Sequence, residues 1–498
     1  MPNVALRSPW LEQLTKKRTL FPFDRDLHAD VVIVGAGIAG VMTAYFLLKK
    51  TKKSIVLLEG DRIAHGATGH NAGQLVSYFE RPFADIVQEF GAVMAAEGQR
   101  SIESSWDLLE DIQKDLGLET PLWTFDGYAG CADFHELLSH LYDNEARDKA
   151  GLPIEKIFVS RSYAKRKDVP RPLRKYYKLA PHKKILSYLQ TSDASYVATI
   201  VAKKGCMNSA LFCYEVLEKL LARYAQRFAV AEQAFVERVH LFAKGAELKT
   251  KKHKVTASRV VLCTNGFEKF HIENHAGARI DAWFHHLVRG SVGYMAAFIE
   301  KPQMAPTAIS YLPKDVEEMS GAYDADPYYY ITRRPHGSDQ SLVCIGGPEA
   351  LMDDTNAYSR AHPYPKESEK MIRQFTRATY AHSGRRLTFT HLWHGLMGYT
   401  PNGIRCVGTE PCNPVLLYNL GCNGVGILPS VYGGYRIAQI LSGKRLQPSI
   451  FDPRDIRDSV DRQAVSATRS DWWMIFVWGM VTAWMITVLF LVALGFVL

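Results

Sequence analysis

The feature that most constrains this chain is Gly35-Ala36-Gly37-Ile38-Ala39-Gly40, placed directly after the apolar run Val31-Val32-Ile33-Val34. A β-branched apolar run without alternation reads as a strand buried on both faces. In a G-x-G-x-x-G pattern the first glycine permits a tight turn. The second lets the backbone approach a pyrophosphate, and the third allows a helix to pack closely on the strand. The helix that opens there presents free N–H groups and the positive end of its dipole to phosphate. Residues 55–59 read as the next strand, closed by Glu59, 19 positions after Gly40. A carboxylate at that place accepts the ribose hydroxyls of an adenine dinucleotide and repels a 2′-phosphate, which argues against NADP. Strand, glycines and acid together specify a Rossmann-like α/β unit that binds a dinucleotide.

The chain around this unit has 498 residues, which favours two or three domains. Its 60 Lys and Arg against 51 Asp and Glu give a net charge of +9, and 47% of its residues are hydrophobic. These ordinary values exclude a disordered or collagen-like chain. The charge is modest and no nucleic-acid-binding signature is present, so no nucleic-acid partner is expected. The eight cysteines form no C-x-x-C pair and keep no regular spacing, so neither a metal site nor a disulfide framework is expected.

Two uncharged runs compete as membrane spans. Residues 472–498 carry no charged side chain over 27 positions and begin with Trp472 and Trp473. As a helix they would reach about 40 Å, against a hydrocarbon core of about 30 Å. The expectation is one C-terminal transmembrane helix. No N-terminal apolar segment resembles a signal peptide, and Arg454, Arg457, Arg462 and Arg469 precede the run. The positive-inside rule then predicts a single-pass membrane protein whose catalytic body is cytoplasmic. Residues 31–48 are also uncharged, but the glycine turn divides them into a strand and a helix start.

Along the chain, residues 1–28 read as a polar leader and residues 85–150 show helical periodicity. Residues 165–184 are strongly basic and broken by Pro170 and Pro172. They read as a solvated surface or as a patch for anionic headgroups. Residues 208–223 predict a helix. Residues 233–239, 259–263, 291–298, 328–332 and 341–345 predict strands, and residues 365–380 and 432–441 predict helices. No internal repeat is present.

A second glycine-rich stretch, Gly66-Ala-Thr-Gly69-His70-Asn71-Ala-Gly73-Gln74, follows Glu59 closely, which an NAD dehydrogenase does not need. It resembles the second phosphate-proximal loop of amine-oxidising flavoproteins: the D-amino-acid oxidase-like family with glycine oxidase, sarcosine oxidase, D-amino-acid dehydrogenase and γ-glutamylputrescine oxidase. Several other stretches are similar to that family in order and spacing. They are Val260-Val-Leu-Cys-Thr-Asn-Gly266, Val288-Arg289-Gly290, Tyr329-Tyr-Ile-Thr-Arg333, Val343-Cys-Ile-Gly346-Gly347, His394 to Gly403 and Gly421-Cys-Asn-Gly424-Val-Gly426. The resemblance covers most of residues 29–445.

The resemblance implies a glutathione-reductase-type FAD-binding domain from residues 29–80, 201–275 and 385–450. It implies a mixed-sheet α+β substrate domain from residues 81–200 and 276–384, with 451–471 as linker to the membrane helix. It implies FAD contacts at Gly35, Gly37, Gly40, Glu59, Thr68, His70, Asn71, Gly73, Gln74, Val236, Asn265, Gly424, Val425 and Gly426. His70 stands where related dehydrogenases join a histidine covalently to the flavin; otherwise it is a polar neighbour of the ring. Cys422 replaces the family's usual histidine in its turn and reads as a small residue in a tight bend. The implied reaction is oxidation of an amine or amino-acid C–N bond by hydride transfer to flavin N5, the imine then hydrolysed. Arg333 is implied as the substrate-carboxylate residue and Tyr330 as a pocket residue. Strand alternation turns Arg334 and Tyr330 to the face opposite Arg333 and Tyr329. A small-molecule amine or amino acid is the expected partner, with oxygen or, given the anchor, a quinone receiving the electrons. The alternative is a flavin-bearing partner subunit without turnover, held in the membrane through Gly479 and Ala483.

Overall fold

A computed structural model describes residues 5–14, 19–164, 169–312, 329–380 and 388–453. The buried run after residue 27 forms the strand Leu27–Val34, which pairs in parallel with Ile55–Leu58 on one side and Lys254–Leu262 on the other. These are the middle of a nine-stranded sheet. Phe228–Ala231 closes one edge, and Ala246–Lys249, Arg238–Leu241 and His271–Asn274 extend the other. Leu416–Leu420 also pairs in parallel with Lys254–Leu262, and Cys406–Thr409 pairs antiparallel with Leu416–Leu420. The helix Ile38–Lys50 is buried on nearly every side, which explains why its sequence carries no polar face. A Cβ at Gly434 would lie 2.7 Å from the Met42 carbonyl carbon, so glycine sets how closely Ile427–Leu441 crosses this helix.

A second, ten-stranded sheet runs in the order His391–Tyr399, Arg289–Glu300, Gln340–Leu351, Tyr329–His336, Thr307–Leu312, Trp123–Cys131, Ala198–Cys206, Lys156–Ser160 and Lys178–Ala180, with Gln74–Leu75 also pairing with Ala198–Cys206. Most pairs are antiparallel, but Thr307–Leu312 runs parallel to Trp123–Cys131, so the sheet is mixed. The helix Lys366–Thr379 covers one of its faces through Ile372 and Phe375.

Several local expectations shift. The helical stretch 85–150 is interrupted by the strand Trp123–Cys131, which follows the left-handed Gly117 that ends Ser105–Leu116. Ala198–Cys206 and His391–Tyr399 belong to the second sheet although the strands that follow them build the first. Both are crossover strands, where the chain passes between sheets. Residues 233–237 are irregular, and the expected strand begins at Arg238. The described part of the N-terminal leader is packed rather than polar: Pro9–Glu12 is a helix capped by Ser8, and Trp10 is fully buried. In the basic stretch, residues 165–168 lie outside the described residues. The remainder buries Leu173 and Tyr176, and Lys175 pairs with Asp148 at 2.9 Å.

The transmembrane helix requires correction. Among the described residues no helix is long and apolar enough to cross a membrane. The longest, Phe134–Lys149, has 16 residues and carries charges along its length. Residues 472–498 lie outside the described residues. The anchored fold and the single-pass location with a cytoplasmic body are therefore withdrawn. The uncharged run 31–48 serves the interior, splitting into a buried strand and a buried helix.

Candidate active site: a dinucleotide cradle beside a carboxyl–tyrosine cluster

The cradle follows from backbone sterics. Gly35 sits at φ +100°, and a Cβ there would lie 2.6 Å from the Cys263 carbonyl oxygen. A Cβ at Gly40 would lie 1.8 Å from the Gly35 carbonyl oxygen, so no other residue permits this approach of helix to strand. Gly37 caps Ile38–Lys50 without a side chain, leaving first-turn amides open to an anion. Thr68 reaches the same helix end, its Oγ1 accepting the Ile38 N–H at 2.9 Å. Glu59 stands at the mouth of the turn. Its Oε2 accepts the Ala36 N–H at 2.8 Å and its Oε1 the Asp61 N–H at 3.0 Å. Burial raises its carboxyl pKa, and the two backbone N–H groups oppose that rise. Residues 233–236 lie alongside, with the Ala234 N–H donating to the Glu59 carbonyl at 2.9 Å and Val236 buried.

The loop after Glu59 is held by its own polar groups. Asn71 Nδ2 donates to the Thr68 carbonyl and to Ser209 Oγ, both at 3.0 Å, while Asn71 Oδ1 accepts the Gly73 N–H at 2.8 Å. Gly73 is left-handed at φ +68°, and Trp10 packs against it. His70 Nδ1 lies 2.8 Å from the Gly66 carbonyl, which assigns the proton to Nδ1 and leaves Nε2 as the acceptor nitrogen. Burial lowers the His70 pKa to about 4, so its ring is neutral. Gln74 pairs with Cys206 in the second sheet, and its Oε1 lies 3.2 Å from Thr332 Oγ1.

The turn 421–426 lies at the start of Ile427–Leu441, with Gly421 and Gly424 left-handed. Asn265, itself at φ +54°, accepts the Cys422 N–H at 3.0 Å, and Asn423 Oδ1 accepts the Thr400 N–H at 2.8 Å. Cys422 Sγ accepts from Gly398 N–H at 3.4 Å and from Asn265 Nδ2 at 3.5 Å. Burial raises its thiol pKa, so it is a hydrogen-bonded thiol within the turn.

Beside this turn the second sheet presents polar groups. Tyr399 Oη donates to Glu349 Oε2 at 2.8 Å, and Ser291 Oγ lies 3.3 Å from the same oxygen. A Cβ at Gly424 would lie 3.0 Å from Glu80 Cγ and 3.2 Å from Tyr399 Oη, which places both against the turn. Burial pushes the Glu349 carboxyl up to about 7, with the neighbouring Glu80 adding to the rise. The Tyr330 ring lies across Gly346, where a Cβ would come within 2.0 Å of it, and its hydroxyl lies 3.4 Å from Met295 Sδ. Lys204, fully buried, donates to the Tyr128 carbonyl at 3.2 Å and to Ser310 Oγ at 3.1 Å. Burial pushes its pKa down to about 8.

Residues 30–440 match the family model described as DAO: FAD dependent oxidoreductase. The chain belongs to that family. FAD is its cofactor, and the residues present fit it: a glycine turn open to phosphate, a helix N-terminus and a carboxyl group at the ribose position. The fold is that of amino-acid oxidases and dehydrogenases. The chain is similar to glycine oxidase from Geobacillus kaustophilus, with TM-score 0.60 and 15% identity over 86% of this chain and 98% of that one. It is similar to L-proline dehydrogenase from P. horikoshii, with TM-score 0.62 and 16% identity over 86% and 97%. In sequence it is 37% identical to Escherichia coli gamma-glutamylputrescine oxidoreductase over 73 residues, 14% of this chain and 17% of that protein. The matched stretches span from 17% to 28% of the lengths of the curated relatives.

The residues expected from the sequence to hold the cofactor divide into two groups. Gly35, Gly37, Gly40, Glu59, Thr68 and Val236 gather around the first helix end. Asn265 and residues 424–426 gather at the second, with Gln74 joining the first loop to the substrate sheet. Arg333 requires correction. Its Nε donates to the Ala305 carbonyl at 3.0 Å and its Nη1 to Gln190 Oε1 at 2.9 Å and Tyr380 Oη at 2.8 Å, with Glu300 at 3.6 Å. It shares a face with Tyr329, which stacks on Phe375, and so lies opposite Tyr330. A guanidinium consumed this way holds the sheet to its cover and has no fork left for a substrate carboxylate. Arg334 does lie on the Tyr330 face, but its guanidinium stacks on the Trp10 ring at 4.4 Å. Tyr328 is outside the described residues. Sequence reasoning missed Glu349, Glu80, Tyr399 and Lys204. The adjacent glycine pair 346–347 was the only local signal, since it marks where Tyr330 and Tyr329 cross the sheet.

Proposed function

We propose that this chain oxidises the C–N bond of a small amine whose nitrogen is seated against Glu349. The observation that carries the reading is that carboxyl group, raised to about 7, hydrogen-bonded by Tyr399 and set beside the 421–426 turn. FAD, when bound, supplies the two-electron acceptor for the hydrogen that leaves the substrate carbon. The chain's own part concerns the proton. A free amine arrives as an ammonium, and only the neutral nitrogen can release a hydride from its carbon. The Glu349 carboxylate accepts the ammonium proton, and the Tyr399 hydroxyl fixes the orientation of Oε2. A base with a pKa close to neutrality suits this transfer. Tyr330 provides an apolar wall, and the amides at the start of Ile427–Leu441 place positive potential beside the turn. The imine product is hydrolysed by water to a carbonyl compound and ammonia or an amine.

A second reading, an amino-acid substrate, is favoured by Lys204, which shares a face with Cys206 of Ala198–Cys206 and uses two of its three ammonium protons on Tyr128 and Ser310. The reoxidant is oxygen or a quinone. An anaerobic screen following flavin bleaching, with peroxide yield measured on admission of air, identifies substrate and acceptor. Glu349→Gln should lower kcat/KM by about 10²–10⁴-fold for every substrate found. Lys204→Met should weaken only those that carry a carboxylate. Undiminished turnover in Glu349→Gln would overturn the assignment. FAD retention with no bleaching by any amine would favour a flavin-bearing partner subunit.

A further inference from the structure

At the outer edge of the nine-stranded sheet, far along the order from the cradle strands, His271–Asn274 pairs in parallel with Arg238–Leu241, with Glu273 directly opposite His240. His275 follows the edge strand immediately. Three ligand atoms converge there. His240 Nδ1 lies 3.2 Å from His275 Nε2 and 3.2 Å from Glu273 Oε2, and His275 Nε2 lies 3.9 Å from the same carboxylate oxygen. The geometry points to a binding site for a divalent transition-metal ion of the zinc class, held by two imidazoles and one carboxylate.

The distances are those of a coordination triangle. Zinc binds imidazole nitrogen at about 2.0–2.1 Å and carboxylate oxygen at about 2.0–2.2 Å, so neighbouring ligands of a tetrahedral ion stand about 3.4 Å apart. The three observed edges bracket that value. A single proton can bridge one edge of such a triangle and leaves lone pairs facing along the others; two protonated imidazoles would instead repel. One central cation satisfies all three atoms together. The other carboxylate oxygen, Oε1, is held by Arg238 at 2.8 Å, which fixes Glu273 with Oε2 turned inward. The His275 ring is clamped between His240 and Phe242, stacked with centroids at 5.5 Å and 5.0 Å. His240 Nε2 is buried without a hydrogen-bond partner, so that ring is oriented by what its Nδ1 meets. Imidazole and carboxylate donors suit zinc, copper or nickel better than calcium or magnesium. The three protein ligands leave a coordination position for water. In this place the ion would clip the edge strand and the segment after it to the sheet.

A neighbouring set, His271, Asp281 and His285, lies close by. It is less suited, because Asp281 Oδ1 already accepts the Ile272 N–H and His285 Nδ1 faces Glu268 at 3.4 Å. It serves as the internal control.

The test uses the full-length, FAD-loaded protein without a histidine tag, stripped with chelator and titrated with Zn²⁺ by calorimetry, with bound metal counted after dialysis. One equivalent should bind and raise the melting temperature. His240→Ala, His275→Ala and Glu273→Gln should each weaken binding at least tenfold, whereas His271→Ala should leave it unchanged. Flavin absorbance confirms that each variant is folded, and Glu273→Gln, at a half-buried position, keeps the test valid where a histidine variant fails to fold. Equal affinity in the wild type and the His240→Ala/His275→Ala variant would overturn the proposal, as would loss of binding only in His271→Ala.

Discussion

Each sheet sets a carboxyl group beside a glycine turn, and the two are held in opposite ways. Glu59 is held by two backbone N–H groups, from Ala36 and Asp61, within a stretch of 26 residues from 36 to 61. Glu349 is held by side-chain hydroxyls of Tyr399 and Ser291, which come from two other strands. The first arrangement is local, made by backbone N–H groups close in sequence. The second is assembled across the sheet, and burial holds its carboxyl up at about 7 although the two hydroxyls oppose the rise. A cradle made of backbone tolerates almost no substitution, whereas a cluster made of side chains can change its chemistry while the fold persists.

The comparison breaks first at Gly40. A Cβ there would stand 1.8 Å from a backbone oxygen that cannot move, so Gly40→Val should yield no yellow, folded protein. Recovery of a normal flavin spectrum would refute the close-approach argument. The next largest effect is on the other side. Besides lowering kcat/KM, Glu349→Gln should remove a rising limb of its pH profile centred near 7. Glu349 is protonated below that value in the free enzyme and becomes a base above it, so activity rises with pH. A limb that survives the substitution belongs to another group.

Arg333→Ala should leave substrate specificity intact and lower stability by about 3–5 kcal/mol, because it opens a buried polar network around Glu300 and Tyr380. A thermal melt beside a KM measurement separates these outcomes; a large KM increase at unchanged stability would restore Arg333 to the substrate. The smallest effect concerns Glu59→Gln. One of two backbone N–H groups loses its acceptor and the ribose loses a charged one, about 1–2 kcal/mol, or roughly tenfold in FAD affinity by flavin titration.

Much of the cradle was legible because it is written in neighbours. Gly35, Gly37, Gly40 and Glu59 act through backbone conformation and one βαβ connection, both of which follow from short-range sequence. Alternation in Tyr329–His336 was legible for the same reason: Tyr330 and Arg333 do lie on opposite faces. Which face meets the turn at 421–426 was not. That depends on how the strand pairs with Thr307–Leu312 and Gln340–Leu351, and hence on contacts hundreds of positions from the cradle. The Trp10 helix escaped notice because four residues have no periodicity to read, and its burial comes from Gly73 and Asn71.

The sequence by itself determined the glycine turn between the first strand and helix, since only glycine tolerates those backbone approaches, and the acid at position 59 that meets two backbone N–H groups. Tertiary structure alone decided which charged side chains are free to act. Burial turned Arg333 into a structural cation and Glu349 into a near-neutral acid, and it brought His240 within 3.2 Å of His275. The physical reason is that a side chain's protonation and availability depend on desolvation and on partners that arrive from other strands, and neither is encoded at the residue itself.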